Sequence, residues 1–497
     1  MMKKPLISAP ILLSLAGTAV AQSSVALYGI VDAGITYRSN ERTGSTGTGQ
    51  GHSNMAVTSG NLSGSRWGLR GKEELGNGLA AIFVLEDGFD ITNGTEGQGS
   101  RLFGRQAFVG LADEQYGALT MGRQYTSLDD FVGPVAPVSA IGGFGAHPGD
   151  IDDLDQTTRV DNSVKYTSAN YAGFTFGAQY GFGGQAGSLK SQNTWSVGGS
   201  YAHGPLQLGV GYEHSDNSKT GPQDPTSGKW QGTYDGTFNS SINEGFASAQ
   251  SQQVVAAGAT WDFGPAIVGA NYSNVQYKAG ADSLYSGTAT FNIAGLFGMW
   301  KVQPHMHLFA GYSYTRGSHV DGIEDEAQYH NVSLGALYDL SKRSTVYLLA
   351  GYQHASGMTL DALGKPVAAT ASVSDKGNGH SAATQSQAIV SFGFRQRFSV
   401  LACPLAFGPS VSRRAVTTPP PYAWCGAPVR SGGVRQNNVL EAARCRPVLD
   451  GVASHAPFAR YQRQSANAGG LPGQNRQAVV RHQFCPRHHA FNYSDVL

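Results

Sequence analysis

The chain has 497 residues, with 35 Lys+Arg against 34 Asp+Glu and a net charge of +1 at neutral pH. Charged residues make up 14%, short of the roughly one quarter usual in soluble domains, yet mean hydropathy is only −0.24. These values exclude a strongly basic nucleic-acid binder, 10% aromatics exclude a disordered chain, and no apolar run of about eighteen residues follows residue 22, which excludes a helical membrane protein. The 67 glycines and evenly spread aromatics leave one large all-β protein.

Residues 1–21 read as a secretory signal peptide. Lys3 and Lys4 precede an apolar stretch from Leu6 to Val20, and Ala19-Val20-Ala21 supplies small residues before Gln22. The stretch is too short for a membrane anchor and contains Pro10 and Gly17. The mature chain therefore belongs outside the cytoplasm.

From residue 24 to 398 polarity alternates in segments of about ten residues, the mark of strands with one apolar and one polar face. The pattern predicts sixteen: 24–38, 62–75, 78–90, 102–113, 117–125, 160–170, 172–183, 193–203, 205–214, 251–263, 265–277, 289–303, 305–316, 328–340, 344–356 and 384–398. In the first, Leu27, Val31, Ile35 and Tyr37 share one face, and Tyr28, Asp32, Thr36 and Arg38 the other. Short connections such as Gly76-Asn77-Gly78 and His203-Gly204-Pro205 alternate with long ones at 39–61, 91–101, 126–159, 184–192, 215–250, 278–288, 317–327 and 357–383. A soluble sandwich has no reason to alternate in this way. An antiparallel transmembrane β-barrel does, with short periplasmic turns and longer extracellular loops. Closure leaves no edge strand, so every backbone polar group is paired within the protein, as lipid demands. Aromatics near segment ends, among them Tyr28, Tyr37, Trp67, Trp261, Trp300 and Tyr312, fit interfacial girdles. The absence of cysteine from residues 1–398 suits an oxidising periplasmic route.

The chain changes character after Phe398. Residues 399–497 hold all four cysteines, ten of the 21 prolines, eleven arginines, no lysine and three acids. The cysteines form no C-x₂₋₄-C pair, against a zinc module, and the arginines are scattered, against a nucleic-acid or anionic-lipid arm. The segment reads as a disordered or read-through/frameshift-derived extension, and no function is assigned to it.

Several segments resemble the Gram-negative general porins. They are Ser24-Val25-Ala26-Leu27-Tyr28-Gly29-Ile30-Val31-Asp32-Ala33-Gly34, Ser65-Arg66-Trp67-Gly68-Leu69-Arg70-Gly71-Lys72-Glu73-Glu74-Leu75-Gly76 and Gly104-Arg105-Gln106-Ala107-Phe108-Val109-Gly110-Leu111. Thr120-Met121-Gly122-Arg123-Gln124, Asn162-Ser163-Val164-Lys165-Tyr166 and the terminal Gly393-Phe394-Arg395-Gln396-Arg397-Phe398 follow in the same order. The resemblance covers residues 1–398. It implies a homotrimeric sixteen-stranded outer-membrane barrel, in contact with lipid and lipopolysaccharide, that passes ions and small hydrophilic solutes by diffusion, with no cofactor. It also implies that Phe398 is an assembly signal normally read at a free C-terminus.

In the resembling porins the third long loop folds into the barrel and its acids face wall arginines. Here that loop, 126–159, carries Asp129, Asp130, Asp150, Asp152, Asp153 and Asp155. The resemblance implies Arg66, Arg123 and Arg159 on the wall, with Arg38 a fourth. Charged rings at such a constriction set ion preference. Parity supports Arg38 and Arg66 on the water side but puts Arg123 on the face of Leu119 and Met121, so that arginine needs a bend where the loop begins. The run Asp150–Asp155 is not an EF-hand loop, since Leu154, Asp155 and Asp161 hold its fifth, sixth and twelfth positions, and bound Ca²⁺ stays open. No G-x-S-x-G or H-E-x-x-H motif occurs. A barrel-type enzyme and a structural or adhesive barrel are the alternatives to a channel, and anion or cation preference stays open.

Overall fold

The computed structural model describes residues 24–43, 49–217, 230, 233–236, 238–320, 322–373 and 381–402, all within one unit of the chain. The signal peptide and residues 403–497 of the extension lie outside them. Among the described residues no helix is long and apolar enough to cross a membrane, which says nothing of strands.

The strands are β1 (Ser24–Thr43), β2 (Gln50–Ser59), β3 (Arg66–Gly76), β4 (Leu79–Gly88), β5 (Gln106–Asp113), β6 (Gly117–Gln124), β7 (Val160–Thr167), β8 (Phe174–Gly181), β9 (Thr194–His203) and β10 (Leu206–Asp216). There follow β11 (Ser251–Asp262), β12 (Ala266–Lys278), β13 (Thr288–Gln303), β14 (Met306–Gly317), β15 (Gln328–Asp339), β16 (Ser344–Ser356), the small hairpin β17 (Met358–Leu360) and β18 (Pro366–Ala368), and β19 (Ser386–Ala402). Leaving out β2, β17 and β18, each strand pairs antiparallel with the next and β19 returns to β1, closing a ring of sixteen. The tight turns need a reversed backbone, and Asn77 (φ 53°) with Gly78 (φ 84°) supplies it between β3 and β4.

The alternation expected along β1 holds. Asp32, Thr36 and Arg38 are buried inward, while Leu27, Ile35 (57% exposed) and Tyr37 face out. Val109, Leu111, Met121, Val210, Leu296, Leu334 and Phe392 continue this outward apolar surface around the ring. Tyr28 departs from the girdle expectation: it points inward, and its hydroxyl donates to Glu86 Oε2 at 2.8 Å.

Three further departures have physical causes. β2 falls in a stretch expected to be loop. It pairs only with the far half of β1, from Ala33↔Ser59 onward, and both its faces are exposed, so no apolar period marks it. The chain turns between β2 and β3 around Asp32, whose Oδ2 accepts the backbone N–H of Leu62 (3.2 Å) and Ser63 (2.9 Å). At the other end β19 runs to Ala402, because β1 still offers partners from Tyr28↔Ser399 to Val25↔Ala402. Finally, the inner face is only half polar. Val254, Val275, Tyr277, Phe291, Ile293 and Tyr329 on β11–β15 are buried against residues of the loops 125–159 and 217–250.

Candidate pore constriction

The third long loop enters the barrel at a break in β6. Pairing with β7 shifts register between Gly122 and Gln124, and Gly122 sits at φ 138°, where a Cβ would lie 2.1 Å from the Ala107 carbonyl oxygen. The extra residue of this bulge lies on β7, and it is the positive φ of Gly122 that turns Arg123 off the lipid face it would share with Met121, leaving it buried. The expected bend is therefore present. Gly122→Val combines a forbidden φ with a backbone clash and is expected to cost at least about 3 kcal/mol, read as a lower temperature for loss of the heat-modifiable barrel band.

Past the bulge, the helix Ser127–Val132 is capped by Thr126, whose Oγ1 accepts from Asp129 N at 3.1 Å. It lies on the inner face of β9 and β10, with Ser127 N donating to Ser196 Oγ at 2.8 Å. The loop continues to Ile141 and Phe144, which pack with Phe297, Phe309, Tyr347 and Leu349. It returns along β12, where His147 Nε2 meets Asn271 at 3.0 Å and Ser273 Oγ donates to Asp152 at 2.6 Å.

Arg66, Arg105 and Arg159 gather on the opposite wall. Arg105 Nε donates to Glu86 Oε1 at 2.9 Å, and Arg66 Nη1 lies 3.9 Å from the same oxygen. The Arg159 and Arg105 guanidiniums stand 5.0 and 5.8 Å from the Tyr125 ring centre, a cation–π arrangement. Two arginines thus share one carboxylate, and the third stacks on the Tyr125 ring beside them. Arg123 belongs to a neighbouring group, donating to Asp161 Oδ1 (2.6 Å) and to Asp235 Oδ2, with Arg101 Nη1 3.6 Å from Asp235. Arg38 stands apart, paired to Glu41 at 3.2 Å.

The loop acids are spent on holding the loop. Asp130 takes Lys165 Nζ at 2.6 Å, Asp150 accepts from Thr157 Oγ1 (2.6 Å) and Asp155 N (3.0 Å), and Asp153 accepts from Thr158 N at 2.7 Å. Asp129 is buried. Among the described residues no group of three or more His, Cys, Asp or Glu is arranged to hold a metal. Burial, with Asp155 and Asp152 next, pushes Asp150 up to about 8. Burial also raises Asp129 and Asp153 well above the carboxylate range, helped by Asp130 and Glu213 respectively. Burial would raise Asp152 too, but the adjacent His147 ring holds it down, and Asp152 in turn lifts His147 against its own burial.

These shifts make docking of the loop pH-dependent. A carboxyl whose docked pKa is raised binds more protons docked than free, so its contribution is full below the ordinary value of 3.8 and is lost as pH climbs to about 8 for Asp150. His147, also raised, loses its charge in the same direction. Open-channel current noise is therefore expected to grow as pH climbs from about 4 towards 8 and to level off above it, and Asp150→Asn, neutral at every pH, is expected to flatten that rise.

With this architecture in view, residues 8–358 match the family described as Gram-negative porin. An outer membrane porin protein of Bordetella pertussis is 32% identical over 385 residues, covering 71% of this chain and 94% of its own. The chain belongs to the Gram-negative porins. A second relative, outer membrane porin protein 32 of Delftia acidovorans, is 28% identical over 70% of this chain and 88% of its own length. Among solved structures, an anion-selective porin from Comamonas acidovorans superposes with TM-score 0.54 at 22% identity, covering 76% of this chain and all of that one. That likeness is one of fold. The porin is a multi-pass β-barrel of the outer membrane.

Sequence reasoning missed Arg101, Arg105, Glu86, Tyr125 and Asp235. Arg105 stood within a quoted motif, one residue before β5. Asp235 sits in a Gly/Ser/Thr/Asn-rich loop that reads as exposed surface, yet Trp230, Tyr234, Phe238, Ile242 and Phe246 recur there at every fourth residue and are all buried. That spacing was the available signal.

Proposed function

We propose that the porin passes ions and small hydrophilic solutes by passive diffusion and prefers anions. One observation carries the preference: Arg66 and Arg105 flank a single carboxylate, Glu86, and Arg159 stands beside them over Tyr125, so three arginines gather on one wall around one carboxylate of their own. The raised pKa of Asp150, pushed up to about 8 by burial, supports it, because that acid offsets the arginines little at neutral pH, and burial shifts Asp129 and Asp153 in the same direction. In this reading Arg66, Arg123 and Arg159 line the constriction, Arg38 belongs to the outer vestibule, and Asp129, Asp130, Asp150, Asp152, Asp153 and Asp155 fasten the loop that narrows it. A narrow low-dielectric passage concentrates the field of such charges. The anion-selective porin from Comamonas acidovorans shares this fold; the preference here rests on the charges. The working unit is proposed to be a homotrimer, set in lipid and meeting lipopolysaccharide on its outward face. Purified porin in a planar bilayer under a KCl gradient is expected to show ohmic steps in threes and an anion-signed reversal potential. A reversal potential at zero or of cation sign rejects the preference.

A further inference from the structure

The described residues 233–236 and 238–250 of the loop joining β10 and β11 are tied to two distant parts of the barrel. At one end Thr233 Oγ1 donates to Gln192 O at 3.1 Å and bonds Thr194 Oγ1 at 2.9 Å, while Asp161 N donates to Thr233 O at 2.8 Å. These partners lie on or beside β7 and β9. At the other end Ser241 N donates to Ser381 Oγ (3.1 Å), Ser241 Oγ donates to Thr370 O (2.9 Å), and Glu244 lies 4.0 Å from Arg42. These belong to the last long loop and to β1. In the ring of sixteen, β9 is the eighth strand and β1 the first, so the two anchorages stand on nearly opposite walls. At the second anchorage Ile242 packs against Gly149 of the third loop, where a Cβ would meet Ile242 Cγ2 at 2.7 Å.

Asp235 joins this crossbar to the arginine wall. Its Oδ1 accepts the Arg159 backbone N–H at 2.7 Å and its Oδ2 accepts Arg123 Nη2. Arg101, Arg123, Asp161 and Asp235 sum to zero charge, beside a cluster of Arg66, Arg105, Arg159 and Glu86 that is net positive.

We propose that this loop is a second constricting element, and that Asp235 is the specificity-determining residue that both fastens it across the bore and cancels the charge of Arg123. This deepens the channel reading and rests on it. The solutes affected are small anions, whose passage Asp235 opposes by its charge and by the position of the loop it holds.

Wild type, Asp235→Asn, Asp235→Ala and Arg123→Ala, each checked for the heat-modifiable folded band, are to be compared in planar bilayers under a KCl gradient. Asp235→Asn is expected to raise the anion/cation permeability ratio about twofold and Asp235→Ala to raise both that ratio and single-channel conductance about twofold. Arg123→Ala releases the same tie while removing a positive charge, so conductance is expected to rise without a gain in anion preference. Should the alanine at 235 fail to fold, the asparagine and the Arg123 variant carry the test. A wild-type channel whose conductance and reversal potential are matched by all the folded variants overturns the proposal and leaves the channel reading standing. A higher permeability ratio with conductance unchanged in Asp235→Ala and Arg123→Ala overturns the crossbar. A wild type without ohmic steps overturns the channel reading and this proposal with it.

Discussion

Glutamine at both Arg66 and Arg159 is expected to abolish the anion preference of the porin. The cluster then falls from two excess positive charges to none, with Glu86 retained. A unit charge about 4 Å from a permeating ion is worth about 1 kcal/mol even in bulk water, and more in a narrow passage. Removing two such charges therefore exceeds the roughly 1.4 kcal/mol that corresponds to a tenfold change in a ratio. The permeability ratio is expected to fall about tenfold, towards unity. Arg159→Glu goes further, to cation preference, because the new carboxylate faces Tyr125 rather than Glu86 directly. Arg66→Glu is a poorer probe: it sets a second carboxylate beside buried Glu86, and the pair would share a proton. The reversal potential in a KCl gradient reads all three. An unchanged value in the double glutamine variant would remove these residues from the permeation path.

A chain ending at Phe398 is expected to assemble into the outer membrane several times more efficiently than the full chain, on the proposal that Phe398 is the assembly signal. Phe398 pairs with Gly29, and its ring covers that glycine so closely that a Cβ there would fall 2.4 Å from it. Strand pairing continues past it to Ala402, so the aromatic residue is followed by further chain within the sheet. The remaining residues bring four cysteines into a compartment that oxidises thiols, where mispairing competes with folding. The fraction of heat-modifiable protein in outer-membrane extracts measures the effect. Equal fractions for the two chains would show that a free terminus at Phe398 is immaterial.

The ring was legible because lipid on one side and the interior on the other impose a period of two, as Leu27, Ile35 and Tyr37 alternate with Asp32, Thr36 and Arg38. Where neither condition applies the pattern vanishes: β2 is exposed on both faces and reads as loop. Arg123 shows how parity fails for a local reason, since the positive φ of Gly122 just before it breaks the regular pleat. The acids of the third loop were visible as a cluster, but their partners were not. Ser273 lies 121 residues from Asp152, and His147 reaches Asn271 over 124; such pairings are made by barrel closure, which no local pattern encodes. Asp235 was hidden for the same reason, its arginine partner lying 112 residues away.

The uneven lining of the barrel has a consequence for how a molecule travels. With Val254, Val275, Phe291 and Tyr329 sealed under loops on one side and the arginines gathered on the other, hydration and field are displaced together off the central axis. A zwitterion drifting through such an eccentric lane meets a transverse torque and turns its anionic end towards the Arg66–Arg159 side. Orientation as well as net charge then enters the permeability of dipolar nutrients, and two isomers of equal size and charge but different dipole length would cross at different rates.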